Sequence, residues 1–288
     1  MLNIKKILLP VDFPDTSLRV IHQAATLAHQ FHSEIVMLHV VTPLSQAAGV
    51  PTDGGKHSGW DLVAHIIREA QKNLDNSLGP ELEGIPIQRL LVKGDTTAAI
   101  LETAQQEKAD LIMMPSYGYA FDEFLVGSVT PKMLNWTDCP VWTDGRIEKP
   151  SAQQFAIRNV VCAVDFKPNS HKSLSWAVQI AANFGARLTI ANVTAGVEFW
   201  GPGGSYVNQE WKAALVGDAC KHIAELQRDL DINANVYIGS GDVPKVLRQA
   251  VEQTKADLLV TGSQPYGGYL RTHGYAIISA MPIPVVSM

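Results

Sequence analysis

The chain is poor in cysteine. Cys139, Cys162 and Cys220 are its three thiols in 288 residues, too few and too scattered for a disulfide framework or a CxxC metal knuckle. This excludes small disulfide-stapled folds and suits a reducing compartment. Long apolar runs are missing too. The opening MLNIKKILLPVDF carries two lysines, and Pro10 and Asp12 cut its apolar stretch short of a ~7–15-residue signal core. No stretch of ~20 apolar residues follows. The run reads as a buried strand, and the expected location is cytoplasmic. Nor is there a basic excess. The formal net charge is −5, with 12 Lys+Arg against 18 Asp+Glu in residues 1–150 and 11 against 10 thereafter. Neither half is polybasic, so nucleic acid is not an expected partner. Enzyme signatures are absent as well: no G-x4-G-K-[ST], G-x-S-x-G or H-E-x-x-H occurs, and no residue stands out as a general base. The expectation is a protein that is not an enzyme.

What the chain does have is internal repetition. KILLPVD at residues 6–12 answers NVVCAVD at 159–165, and Leu38-His39-Val40 answers Ala191-Asn192-Val193, both at an offset of about 150 residues, the length of one domain. Further on, VKGD ending at Asp95 answers GSGD ending at Asp242, and ADLIMMPS from Ala109 answers ADLLVTGS from Ala256. Cys139-Pro140-Val141 then answers Ile283-Pro284-Val285. Five matches in one order mean a duplicated unit. Its halves are expected at 1–147 and 154–288, joined through the polar stretch RIEKPSAQQFAI.

Each half alternates apolar runs with helical stripes. In the first, strands are expected over 6–11, 34–40, 87–92, 111–114 and 141–142. Helices are expected over 17–31, 61–78, 96–108 and 129–135. Strand–helix alternation with unbroken apolar strands predicts an α/β fold with a doubly wound parallel sheet, whose ligands bind beyond the carboxyl ends of the strands.

The ordered set of VD (Val11-Asp12; Val164-Asp165), LHV, V-x-G-D, ADLI, GSVT (Gly127–Thr130) and CPV resembles the universal stress protein family over essentially both halves. The resemblance implies two tandem Rossmann-like, five-stranded sheets of strand order 3-2-1-4-5. It also implies a stress-response role in which some members bind ATP and others do not, with pairing through the last strands. An internal pseudo-dimer is therefore expected, and a homodimer beyond it is open. The ATP-binding members carry G-x2-G-x9-G-[ST] after the fourth strand, where glycines and a helix N-terminus meet phosphate.

Carried onto this sequence, the resemblance implies ligand contacts from Val11, Asp12, Val40, Gly94, Gly118, Gly127, Ser128, Val129 and Thr130 in the first copy. In the second it implies weaker ones from Asp165, Val193, Gly262 and Ser263. The ligand would be ATP or ADP with Mg²⁺. Both motifs depart from the pattern. Pro115 stands for the first glycine of copy one, and Asp122 and Glu123 put carboxylates where phosphates should lie. In copy two Pro265 replaces the second glycine, and no Gly-Ser closes the motif.

Two functions from different classes follow: an adenine-nucleotide-binding stress module using mainly the first copy, or an interaction or small-ligand protein with vestigial sites. Asp12 and Asp165 have a plainer reading as turn carboxylates. Gly94 is expected at a turn of positive φ, and His39 as a satisfied strand histidine. The histidines of the first half offer no metal-ligand spacing. The Gly-rich segments 43–59 and 194–208 are expected to be loops without structure of their own, acting as an interface cover or a lid.

Overall fold

Short apolar runs flanked by polar residues make strands buried on both faces, as a central parallel strand requires. Ile7, Leu8 and Leu9 are fully buried in β1 (Lys6–Pro10). The computed structural model describes residues 2–12, 18–42, 59–76, 82–116, 129–145, 155–196, 198–201, 204–262 and 270–288. For 59–63, 198–201, 204–207 and 270–273 it describes the backbone alone. Asn3–Trp142 and Ala156–Met288 fall into separate compact units.

In the first unit β1 is followed by α1 (Leu18–Phe31), β2 (Glu34–Val41), α2 (Gly59–Asn76), β3 (Ile87–Lys93), α3 (Thr96–Gln106), β4 (Leu111–Met114), α4 (Val129–Trp136) and β5 (Val141–Thr143). β1 pairs in parallel with β2 and β4, and β2 with β3, so the described strands run β3-β2-β1-β4-β5. Leu8 lies between Val36 and Ile112 in register. With Ile100, Met114 and Met133 these residues form one buried cluster. α1 turns Val20, Ile21, Ala24, Leu27 and Ala28 inward at helical spacing. Its buried Gln23 has a purpose: the indole N–H of buried Trp142 donates to Gln23 Oε1 at 2.7 Å. The Trp142 ring meets Phe155 edge-on, centroids 6.0 Å apart.

The second unit repeats the plan with β6 (Asn159–Val164), α5 (Asn169–Phe184), β7 (Arg187–Thr194), β8 (Glu198–Gly201), β9 (Gly204–Val207), α6 (Gln209–Asp229), β10 (Asn235–Ser240), α7 (Val243–Thr254), β11 (Leu258–Thr261), α8 (Leu270–Ala280) and β12 (Val285–Ser287). Its described parallel sheet has the order β10-β7-β6-β11-β12. This is the expected 3-2-1-4-5 arrangement in both copies.

One expectation needs correction. Segment 194–208 is not a loop without structure: β8 and β9 pair antiparallel, with Phe199 opposite Tyr206 and Trp200 opposite Ser205. Aromatic residues on both sides of a Gly/Pro-rich turn are a hairpin pattern, outweighed in the sequence reading by the glycine content. Segment 43–58 lies outside the described residues.

The repeated motifs divide into two structural devices. At the amino edge, Asp110 Oδ2 accepts from the N–H groups of Lys5 (2.8 Å) and Lys6 (3.0 Å). Asp257 Oδ2 likewise accepts from Arg158 and Asn159, at 2.8 and 2.9 Å. The aspartate of each ADL motif thus braces the start of its sheet, away from the ligand edge. At the carboxyl edge, Asp95 caps α3 by accepting from Ala98 N–H at 2.9 Å, and Asp242 caps α7 by accepting from Lys245 N–H at 3.1 Å. The glycine before each cap has positive φ, 150° at Gly94 and 119° at Gly241, a region that favours glycine.

Candidate functional site at the carboxyl edge

The ends of the first three strands are laced together by the backbone. In the first unit Val11 N–H donates to Leu38 O at 2.8 Å, and Gly94 N–H to Val41 O at 3.2 Å. Val11, Asp12, Val40 and Gly94 therefore share one edge. Val11 is buried, Val40 half-buried and Asp12 exposed. Val129 opens α4 and packs against the cluster around Leu8, while buried Thr130 donates to Pro115 O at 3.4 Å. Gly118, Gly127 and Ser128, and the acidic pair Asp122 and Glu123, lie outside the described residues.

In the second unit the same edge holds a cleft of about 590 Å³, part of it open to solvent. Ala163, Val164 and Asp165 form one wall, Ala191 and Val193 of β7 another, and Thr261 and Gly262 the floor. Asn169 and Ser170 of α5, Val243 and Leu247 of α7 and Ile277 of α8 complete it. Three of the four expected residues of this copy, Asp165, Val193 and Gly262, are thus brought together. Ser263 lies outside the described residues. A Cβ on Gly262 would stand 3.2 Å from Ser173 Oγ, so the glycine lets the end of β11 approach α5.

Asp165 is engaged. Its Oδ1 accepts from Ser170 Oγ at 2.9 Å and from Lys167 N–H at 3.2 Å, and Lys167 Nζ lies 3.4 Å from Oδ2. The turn after β6 is held tightly enough to keep Phe166 at φ 58°, its ring stacked on His222 of α6 with centroids 4.9 Å apart. Ser170 was missed in the sequence, though it carried a signal: Ser17 follows Asp12 at the spacing at which Ser170 follows Asp165. Val243, Leu247 and Ile277 had no such signal, because helix faces enter the site through packing alone. Buried Cys162 on β6 is no reactive thiol here; burial pushes its pKa up. Among the described residues no helix is long and apolar enough to cross a membrane.

Residues 3–143 match the universal stress protein family, and residues 156–286 match it again. Among curated proteins, a universal stress protein of Methanocaldococcus jannaschii is 29% identical over 152 residues, covering 52% of this chain and 85% of the relative. YxiE of Bacillus subtilis, also a universal stress protein, is 27% identical over 142 residues, covering 47% and 95%. A solved universal stress protein of Archaeoglobus fulgidus is similar in fold over 99% of this chain and 96% of its own, with a TM-score of 0.70 at 20% identity. Two matches in tandem, on two copies of one sheet topology, leave a single conclusion: the chain belongs to the universal stress protein family and carries two of its domains.

Proposed function

We propose that this tandem universal stress protein is a cytoplasmic stress-response module whose output is small-ligand binding rather than turnover, with adenine nucleotide as the ligand of its first copy. The observation that carries the reading is the open cleft beyond the carboxyl ends of β6, β7 and β11. The position is the one at which open α/β sheets take ligands. The first copy offers the same edge in Val11, Asp12, Val40 and Gly94. Its sequence alone keeps Gly127-Ser128 before the last helix, so phosphate is assigned there, with Mg²⁺ offsetting Asp122 and Glu123.

Calorimetric or thermal-shift titration with ATP and Mg²⁺ tests this. Ligand at 100 times its Kd stabilises by about 2.7 kcal/mol. Replacing Asp122 and Glu123 by Asn and Gln should tighten ATP with less effect on adenosine, and Ser128→Ala should weaken ATP by about 1 kcal/mol. Indifference of ATP affinity to both changes would move nucleotide away from the first copy. A second reading, vestigial sites on an interaction protein, draws support from Pro115 in the first motif and from the engagement of Asp165 by Lys167 and Ser170. Absence of any binding at millimolar ATP and adenosine would decide for it.

A further inference from the structure

The two copies finish the amino edge of their sheets with charges of opposite sign. In the first unit Lys6 of β1 pairs in register with Glu34 of β2. Its Nζ lies 3.4 Å from Glu34 Oε2 and 2.8 Å from Glu107 Oε2, so one cation holds two carboxylates. In the second unit the corresponding register pair is Asn159 and Arg187. Thr254 stands three residues before Asp257, as Glu107 stands three before Asp110. The Thr254 hydroxyl turns to its own helix, donating to Ala250 O at 2.7 Å. Arg187 is thus a cation where the first copy has an acid, and neither neighbour brings it a carboxylate.

Arg187 is held in place with donors to spare. Its Nε donates to Asn159 Oδ1 at 2.9 Å, and Asn159 is itself fixed by donating to Lys255 O at 3.0 Å. The two terminal guanidinium nitrogens have no partner among the described residues. Arg187 lines an open groove between the C-terminal end of α5 and the segment leading into β10. Val178 and Ala181 of α5 and Leu188 of β7 give the groove an apolar wall, and the exposed carboxamides of Asn233 and Asn235 add polar atoms. Both sides are braced. α5 ends on Gly185 at φ 61°. Gln227 of α6 pins the other segment, its Oε1 taking Ala234 N–H at 2.6 Å and its backbone oxygen taking Ile232 N–H at 2.9 Å.

We infer that this groove binds a small organic carboxylate, its acid group on Arg187 and its apolar body along Val178, Ala181 and Leu188. The site lies at the opposite edge of the sheet from the cleft and does not depend on the nucleotide reading. A guanidinium fixed through Nε presents its remaining N–H groups in one plane, a geometry that a carboxylate meets with both oxygens. Asn233 and Asn235 contribute neutral donors beside it. The ligand supplies to Arg187 the ion pair that Lys6 finds in Glu107 within the first copy.

Isovalerate, its uncharged isostere isovaleramide and inorganic phosphate, titrated separately into the full chain, test this. Backbone amide signals of Leu188, Asn233 and Asn235 report the groove, and those of Ser170 and Gly262 report the cleft. Isovalerate should shift the groove signals and leave the cleft signals still. It should bind about tenfold more tightly than isovaleramide, the scale of a partly exposed charge-assisted contact. Arg187→Gln should erase that preference in protein that melts as the parent does. Arg187→Lys should keep part of it, since the charge remains and the planar fork is lost. Equal binding of acid and amide would overturn the inference, as would isovalerate affinity unmoved by Arg187→Gln. Silence of the groove signals at about 0.1 M isovalerate, roughly a hundredfold above a millimolar Kd, would overturn it too. Tighter binding of phosphate at the same amides would make this a phosphate site instead, and shifts confined to Ser170 and Gly262 would move the acid to the cleft; either result sinks the assignment.

Discussion

The side-chain amide of Asn192 donates to the backbone carbonyl of Val164 at 2.8 Å. Val164 immediately precedes Asp165, so this bond ties the end of β7 to the residue that presents the candidate carboxylate. In the first unit His39 Nδ1 lies 2.9 Å from Val11 O, and Val11 precedes Asp12. The two copies keep one tether and have changed the residue that makes it.

Asn192 is buried, and its replacement by Leu removes the amide that donates to the Val164 carbonyl. Asn192→Leu should cost about 1–3 kcal/mol, read from the urea midpoint of the second unit's transition. Asn192→His should recover part of the loss, because the first copy makes the same tether with histidine. Equal losses for both substitutions would show that packing, not the hydrogen bond, sets the cost.

Two glycines should respond to alanine for different reasons. A Cβ on Gly239 would overlap Cγ1 of Val246. Val246 is buried in α7 and stiff at χ1, so Gly239→Ala should cost about 1–3 kcal/mol through displacement of that helix. At Gly94 a Cβ meets nothing within 4 Å, and the cost comes from its φ of 150°, about 1–2 kcal/mol. Crystal structures of the two variants separate the cases: α7 should move in the first, and nothing should move in the second.

The buried Trp142–Gln23 pair predicts a penalty for half a hydrogen bond. Gln23→Leu keeps the volume and leaves the indole N–H unpaired in the core. A loss of about 1–3 kcal/mol is expected in thermal unfolding. Trp142→Phe in the same background should lose less than the sum of the two single changes, since the orphaned donor is then gone.

Stability should depend on pH through Lys6 and Glu107, whose Nζ and Oε2 are 2.8 Å apart. The hydrogen bond from Lys6 is the first cause holding the Glu107 carboxyl below its ordinary value, and the same bond is the first cause holding Lys6 above its own. For the acid, the contribution is complete above the ordinary carboxylate pKa and is lost as pH falls through the lowered folded value. For the lysine, it is complete below the ordinary lysine pKa and is lost as pH rises through the raised folded value. Both side chains are about a quarter exposed, 24% and 23%, so screening keeps the effect modest. Glu107→Gln should flatten the acid limb of the stability profile; an unchanged limb would place that dependence in other carboxylates.

The sequence by itself determined the duplication, the strand and helix order and the edge at which a ligand can sit. Those properties are written in local spacing: apolar runs such as Ile7–Leu9 must be buried on both faces, and residues such as Leu27 and Ala28 recur at helical intervals. Val11, Asp12, Val40 and Gly94 could be placed together because parallel strands bring their carboxyl ends to one side. Only the tertiary structure decided that Asp165 is shared with Ser170 and Lys167, and that α7 and α8 wall the second cleft. It likewise decided that Asp257 spends its carboxylate on the backbone of Asn159. Those partners are chosen by how helices pack across a sheet, from groups far apart along the chain, and no spacing within a single segment encodes which of two aspartates will face a ligand and which will brace a strand.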